Sequence, residues 1–169
     1  IWQQSGHTES FLDKMYKVTT PDKKGWNMLV KPMNCDGGML IYKNSSHSYK
    51  EFPIKVGELG VVHRYESSGE LHGIMRPREF TQDDAHLYCL PEQIKEELKK
   101  VIDLCFEIYD TFGLELDHLE LSTRPENSIG SDEIWEQAEQ TMHEVLEEND
   151  IKHQINEGDG AFYGPKFDF

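Results

Sequence analysis

The sequence predicts an α+β fold in which an antiparallel sheet is flanked by helices. Extended segments outnumber helical ones along the 169 residues, and short turns join several of them directly, which favours antiparallel pairing. Two later segments show apolar residues at helical spacing. The length is sufficient for one domain with a hydrophobic core.

The first half of the chain is predicted to be mostly extended. Pro32 ends the first strand because it cannot donate to a ladder, and the pair Gly37-Gly38 weakens an otherwise helical segment. The segment 76–88 has polar residues at alternate positions, as in a strand lining a cleft. The predicted elements are strands over residues 27–30, 54–57, 59–65 and 76–88 and a helix over residues 35–42.

Two helices are predicted in the second half. Pro91 occupies the favoured first helical position and Gly113 ends that helix. Ser131 is the predicted N-cap of the second helix, whose first turn is acidic. The predicted apolar stripe of this helix consists of Ile134, Ala138, Met142 and Val145. The remaining predicted strands cover residues 114–122, 153–155 and 161–169.

Composition excludes several classes of protein. With 37% hydrophobic and 29% charged residues the chain is globular rather than disordered, and no run approaches the roughly 18 apolar residues that a membrane span needs. Three widely spaced cysteines favour a reducing, cytoplasmic location. The net charge of −15, with eight acidic residues and no Lys or Arg in 131–150, means that any contact with nucleic acid needs a local basic patch or parts outside this chain.

One segment decides the functional prediction. Gly60-Val-Val-His-Arg-Tyr-Glu66, a loop through Arg76, and Phe80-Thr-Gln-Asp-Asp-Ala-His86 resemble motif 2 of the class II aminoacyl-tRNA synthetases, and the threonyl-tRNA synthetase family in particular. An Arg-x-Glu pattern alone occurs by chance, and its structural alternative is a cross-strand ion pair between Arg64 and Glu66. Similar elements in family order are Ser5-Gly-His7, Pro32-Met-Asn-Cys35, Leu121-Ser-Thr-Arg-Pro125 and Ala161-Phe-Tyr-Gly-Pro-Lys166.

The resemblance implies a site for ATP, which enters with magnesium as a substrate. Arg64 would bridge the threonine carboxylate and the α-phosphate, a role that suits the forked guanidinium. Glu66 would accept from the adenine amino group, and Phe80 would stack on the adenine ring. Arg76 would close over the γ-phosphate.

The resemblance also implies a catalytic zinc ion. Cys35 and His86 correspond to two of its ligands, and the third is a histidine expected beyond Phe169. Shape alone separates threonine from valine by only about a hundredfold, whereas a metal with an open position can bind the threonine hydroxyl. With two ligands of that set, we expect weak or no stoichiometric zinc binding by this chain alone. Without the resemblance, the two residues would be a core thiol and a strand histidine.

Further residues are assigned by the same resemblance. Asp84 would accept from the polar end of threonine with Gln82 beside it, and its alternative is a solvated carboxylate. His7 is a candidate for proton handling during transfer to tRNA, and its alternative is a surface histidine. Lys166 would assist that transfer. The other residues expected to line the threonine pocket are Met33 and Tyr163.

Residues 1–169 are thus predicted to be a partial class II catalytic domain, with motif 1, motif 3, the editing domain and the anticodon-binding domain outside the chain. The expected activity is that of a threonine–tRNA ligase, which forms threonyl-adenylate and transfers threonine to tRNA(Thr), with the chain alone inactive. The full-length protein is expected to be a cytoplasmic homodimer that does not bind membranes. The alternatives are a catalytically incomplete synthetase-like binding or regulatory protein, and another class II synthetase such as the prolyl or seryl enzyme.

Overall fold

The computed structural model describes residues 1–22, 25 and 28–169, which divide into two compact units, residues 1–88 and 89–169. The first unit contains α1 (His7–Ser10), β1 (Lys17–Val18), β2 (Met28–Leu29), α2 (Cys35–Lys43), β3 (Ile54–His63) and β4 (Glu79–Tyr88). The second contains α3 (Ile94–Phe112), β5 (Glu120–Ser122), α4 (Asp132–Glu148), β6 (Gln154–Asn156) and β7 (Lys166–Asp168). Short 3-10 helices cover Leu12–Lys14, Tyr49–Glu51 and Pro91–Gln93.

A long antiparallel hairpin dominates the first unit. Strands β3 and β4 pair from Ile54 opposite Tyr88 to His63 opposite Glu79 without interruption. The predicted break between residues 57 and 59 is therefore wrong, because Gly57 and Glu58 have ladder partners and the chain needs no turn there. The strand predicted over residues 76–88 is β4, and it begins at Glu79 rather than at residue 76.

The helix predicted over residues 35–42 is confirmed as α2. Gly38 of α2 faces β4, since a Cβ atom on it would lie at an ordinary contact distance of 3.5 Å from Nδ1 of His86. The strand predicted over residues 27–30 is confirmed at Met28–Leu29, which pair antiparallel with β1, while Asn27 lies outside the described residues.

The second unit has its core between α3, α4 and β5. Gly113 ends α3 in the left-handed region at φ 64°, and Oγ of Ser131 accepts from the Ile134 N–H at the start of α4, so both predicted helix boundaries are confirmed. Ile134 does not belong to the apolar stripe, since it is 65% exposed, and Trp135 is buried instead. The core residues are Ile102, Leu119, Leu121, Met142, Val145 and Leu146.

The sheet of the second unit is mixed. Strand β5 pairs antiparallel with β7 and parallel with β6, and the sequence did not predict this one parallel pair. Helix α4 provides the long connection that a parallel pair requires. Strands β5 and β7 are shorter than predicted, and β6 keeps the predicted length but is shifted by one residue. Helices and antiparallel pairs together confirm the α+β class. Among the helices in the described part of the chain, none is both long and apolar enough to cross a membrane.

Candidate functional site

The predicted site residues of β4 lie on one face of the hairpin. Side chains alternate along a strand, so positions 80, 82, 84 and 86 point the same way, together with their partners Val62, Gly60, Glu58 and Val56 in β3. The intervening residues Thr81, Asp83 and Ala85 are exposed, whereas the site positions are partly shielded. The partly shielded residues of this face, which we call the polar face, are Phe80, Gln82, Asp84 and His86.

A cavity of about 340 Å³ in the first unit is lined by the residues that are predicted to bind ATP. Its lining includes Arg64, Glu66, Arg76 and Phe80, and the structure therefore brings all four predicted residues together. The Arg64 guanidinium lies 5.3 Å from the centroid of the Phe80 ring. The remaining lining residues are Ile74, Met75 and Pro77.

Arg64 is held by backbone contacts. Its N–H donates to the Arg78 carbonyl oxygen at 2.9 Å, which continues the hairpin ladder beyond β3. Its Nε donates to the Pro32 carbonyl oxygen at 3.1 Å. This side-chain bond uses one of five guanidinium N–H donors, so the fork retains donors for anions.

Glu66 is buried at 6% exposure and pairs with two cations. Its Oε2 lies 2.8 Å from Lys14 Nζ and 3.5 Å from Arg76 Nε. The structural alternative, an ion pair between Arg64 and Glu66, is therefore not what holds this carboxylate. The contacts instead connect Glu66 to the loop between the strands and to the 3-10 helix at Leu12–Lys14.

Lys14 also fixes the start of that loop. Its ammonium donates to both Glu70 carboxylate oxygens at 2.8 Å, and Oε2 of Glu70 accepts from the N–H and the hydroxyl of Ser67. These bonds, the one from Lys14 first, lower the pKa of Glu70 to about 2. They also raise the pKa of Lys14, through Glu66 first and then Glu70. The beginning of the loop is thus ordered, while Ile74 and Met75 at its tip are 93% and 80% exposed.

Asp84 is held from the start of α2 by a buried side chain to which the motifs give no role. Asn34 is 1% exposed, and its Nδ2 donates to Oδ2 of Asp84 at 3.2 Å. Asn34 fits against β3 only because position 60 is glycine, since a Cβ atom there would lie 2.2 Å from Oδ1 of Asn34. Asp84 is therefore not the solvated carboxylate of the alternative reading. A glycine in the middle of a strand was the signal that could have revealed this contact.

Cys35 lies beside the same polar face. Burial raises the pKa of its thiol, the charge of Asp84 adds to this rise, and Arg64 opposes it. Its predicted partner His86 lies against α2 at Gly38. A thiolate and an imidazole are ligands that zinc favours, so the residue types fit that ion. Among the residues described, no third side chain completes a three-ligand group with these two.

His7 is buried at 3% exposure, so the surface-histidine alternative is wrong. Its Nδ1 lies 2.8 Å from the Ser5 hydroxyl, which also lies 2.7 Å from Asp36 Oδ2, and its Nε2 lies 3.3 Å from Met33 Sδ. Burial lowers the pKa of His7, and the nearby Asp36 carboxylate opposes this. The structure thus brings the predicted residues His7 and Met33 together, next to the first turn of α2.

The two remaining predicted residues belong to the second unit. Tyr163 is 53% exposed and lies in a turn closed by a bridge between Ala161 and Gly164. Lys166 begins β7 and pairs with Asp168 at 3.0 Å and Asp159 at 3.2 Å. Although partial burial lowers the pKa of Lys166, hydrogen bonds to these carboxylates raise it overall.

The hairpin and its loop carry a buried carboxylate at Glu66, a forked guanidinium at Arg64 and an aromatic ring at Phe80. Comparison with known proteins identifies the class of protein that has this arrangement. The family model of the tRNA synthetase class II core domain (G, H, P, S and T) matches residues 16–169. The chain belongs to this family.

Within the family, the relatives that it resembles are threonine–tRNA ligases. The chain is 56% identical over all 169 residues to the threonine–tRNA ligases of Carboxydothermus hydrogenoformans and Clostridioides difficile. It spans 26%, about a quarter, of their length. A crystal structure of the RNA binding domain of threonyl-tRNA synthetase from Cryptosporidium parvum Iowa II matches 99% of this chain and 41% of that one, with a TM-score of 0.90 and 42% identity. The resemblance predicted from the motifs is confirmed.

Proposed function

We propose that this chain forms part of the catalytic domain of a threonine–tRNA ligase, which activates threonine with ATP and transfers it to tRNA(Thr). The observation that carries the proposal is the cavity that Arg64, Glu66, Arg76 and Phe80 line together. It offers one aromatic ring, two guanidinium groups and a buried carboxylate, the groups that an adenine nucleotide requires. The similarity to threonine–tRNA ligases over the whole chain supports the same function.

In the proposed activation step, a carboxylate oxygen of threonine attacks the α-phosphorus of ATP. The bond from that phosphorus to the bridging oxygen breaks, and pyrophosphate leaves with magnesium. Arg64, fixed by its bond to Pro32, stabilises the negative charge that grows on the α-phosphate oxygens. Phe80 stacks on adenine and Glu66 accepts from its amino group. Arg76, 56% exposed and paired with Glu66, exchanges this contact for the γ-phosphate.

Threonine is proposed to lie along the polar face. Cys35 and His86, with a third histidine outside this chain, would hold a zinc ion that binds the amino and hydroxyl groups of threonine. Asp84, oriented by Asn34, accepts from the same polar end, with Gln82 next to it. Met33 lines the proposed pocket, and the role of Tyr163 in threonine binding stays a prediction from the resemblance.

In the transfer step, the terminal ribose hydroxyl of tRNA attacks the carbonyl of threonyl-adenylate, and AMP leaves. His7 is proposed to accept the hydroxyl proton, since its lowered pKa favours the neutral imidazole at neutral pH. Lys166 is proposed to stabilise the charge that develops during transfer. We propose a cytoplasmic homodimer for the full-length protein, with most tRNA contacts outside this acidic chain.

Threonine-dependent exchange of pyrophosphate into ATP, measured on the full-length protein, tests the proposal. Arg64→Lys keeps the charge but removes the fork, so the rate constant should fall by about 100-fold or more while the fold is retained. Lys50→Met, an exposed substitution away from the cavity, should leave the rate unchanged. Threonine binding without any exchange by the unaltered protein would contradict the catalytic assignment and favour a synthetase-like binding protein.

A further inference from the structure

A second group of metal-ligating side chains lies in the second unit, and neither the motifs nor the proposed reaction uses it. His143 and Glu147 belong to α4, and His153 directly precedes β6. The ligand atoms of these three residues all lie within 4.8 Å of one another. We propose that His143, Glu147 and His153 bind a divalent transition metal ion of the zinc class.

The backbone holds the three residues in place. His143 and Glu147 are four residues apart and so share one face of α4. After the helix, Asp150 adopts φ 53°, and the Ile151 N–H donates to the Leu146 carbonyl oxygen at 2.9 Å. This turn brings His153 back to the last turn of α4. Leu146 is fully buried in the core, so the return of the chain has a rigid support.

His153 is prepared as a ligand. Its side chain is only 8% exposed, and its Nδ1 lies 2.9 Å from the Ile151 carbonyl oxygen. A carbonyl oxygen only accepts, so Nδ1 carries the proton and the neutral ring keeps its lone pair on Nε2. A carbonyl oxygen that accepts from the other ring N–H in this way commonly orients metal-binding histidines.

The distance from His153 Nε2 to Glu147 Oε1 supports metal binding over a direct hydrogen bond. It is 3.8 Å, which is longer than a hydrogen bond. Two ligands of a tetrahedral zinc ion, each about 2.1 Å from the metal, are separated by about 3.4 Å. A shift of a few tenths of an ångström would therefore place both atoms at ligand distance.

His143 completes the set with a second imidazole. Its ring lies edge-on to that of His153, with the centroids 5.3 Å apart. Two histidines and one glutamate leave a fourth tetrahedral position open for water or a small anionic ligand. Glu147 and His153 also line a cavity of about 1010 Å³, through which such a ligand has access. The acidic segment 131–150 favours a cation at this position.

The donor set separates this site from the one proposed at Cys35 and His86, because it contains no sulfur. It also revises the expectation of weak or no zinc binding by the chain alone. Imidazole and carboxylate ligands suit zinc, cobalt and nickel, whereas a thiolate gives cobalt an additional charge-transfer absorption.

Cobalt titration of the metal-free full-length protein tests the inference, with a Cys35→Ser background to remove the thiolate. Cobalt should bind and produce visible absorption without a thiolate charge-transfer band. His143→Gln and Glu147→Gln should each weaken binding by about tenfold or more, since even the loss of a hydrogen-bond partner of a metal ligand costs that much. Glu136→Gln, an exposed substitution on the same helix, is the matched control and should change nothing.

Nitrogen NMR of the histidine rings gives an independent measurement. Zinc should shift the Nε2 resonance of His153 and leave its Nδ1 protonated. An Nε2 resonance that does not respond to zinc would overturn the proposal and leave a histidine–glutamate ion pair only. Cobalt affinity that is equal in the Glu147→Gln and Glu136→Gln variants would overturn it too.

Discussion

The polar face depends on a few single residues whose side chains orient others. Asn34 is buried and reaches Asp84, yet it is not among the residues that the motifs imply for chemistry. Its place exists because Gly60 lacks a side chain. Asp84 therefore has a fixed orientation before any ligand binds, which would lower the entropic cost of placing the proposed substrate threonine.

Substitution of Gly60 should reveal this packing. Gly60→Ala places a methyl group where Asn34 Oδ1 now lies, 2.2 Å from the new atom, so either the strand or Asn34 must move. We expect a loss of about 1–3 kcal/mol in the free energy of unfolding, measured with urea. We also expect a raised KM for threonine, since Asp84 loses its support.

Gly57→Ala is the matched control in the same strand. Its new Cβ atom would lie 3.9 Å from the Asp84 carbonyl oxygen, an ordinary contact distance. Gly57→Ala should retain stability and threonine binding. Equal effects of the two substitutions would mean that the strand tolerates no side chain generally, and that the contact with Asn34 is not the cause.

Secondary-structure elements separate the residues of the proposed site from those on the opposite face of the hairpin. The uninterrupted register of β3 and β4 gives every residue of the hairpin one of two faces. Asp83 and Asp84 are neighbours in sequence and identical in chemistry, but Asp83 is exposed on the opposite face. Closeness in sequence therefore does not place two carboxylates on the same face. The odd or even position of each residue along the strand determines which carboxylate lies on the polar face.

This difference gives a matched pair of variants. Asp84→Asn should reduce kcat/KM for threonine in pyrophosphate exchange by about 10- to 100-fold, because an amide replaces a charged acceptor at the polar end of the substrate. Asp83→Asn should leave kcat/KM within about twofold of the unaltered protein. A larger loss for Asp83→Asn than for Asp84→Asn would mean that threonine does not lie along the polar face.

For the molecule as a whole, the dominant property is the net charge of −15. A surface of this sign repels phosphate backbones, so the proposed contacts with tRNA depend on local groups or on other parts of the full-length protein. The acidic side chains of α4 are mostly exposed, and the proposed metal site lies among them.

Neutralising part of this acidity tests where tRNA binds. The double variant Glu133→Gln, Glu136→Gln should change tRNA affinity by less than about twofold, and the slope of affinity against salt should remain the same. Filter binding of the full-length protein over a range of salt concentrations provides the measurement. A clear rise in affinity together with a changed slope would mean that α4 lies next to bound tRNA.

The motifs and the local rules of helix formation predicted a large part of this molecule. Gly113 and Ser131 marked helix boundaries because their backbone and capping preferences act locally. Pro91 begins the 3-10 helix Pro91–Gln93, and α3 itself starts three residues later than predicted, at Ile94. The resemblance assigned Arg64, Glu66, Arg76 and Phe80 to one ATP site, and in the structure these four residues line one cavity. Sequence signals are sufficient for features such as helix ends and caps, because these depend on interactions between residues a few positions apart.

Long-range packing determines the features of the structure that the sequence did not predict. The break proposed near residue 58 disappeared because ladder partners from β4 extend the strand, and Trp135 replaced Ile134 in the core because of the direction in which α4 faces its neighbours. The parallel pairing of β5 with β6 and the support of Asp84 by Asn34 each join segments distant in sequence. His143 meets His153 because the chain turns back after the end of α4. No periodicity or spacing records such contacts, because they depend on how whole elements pack.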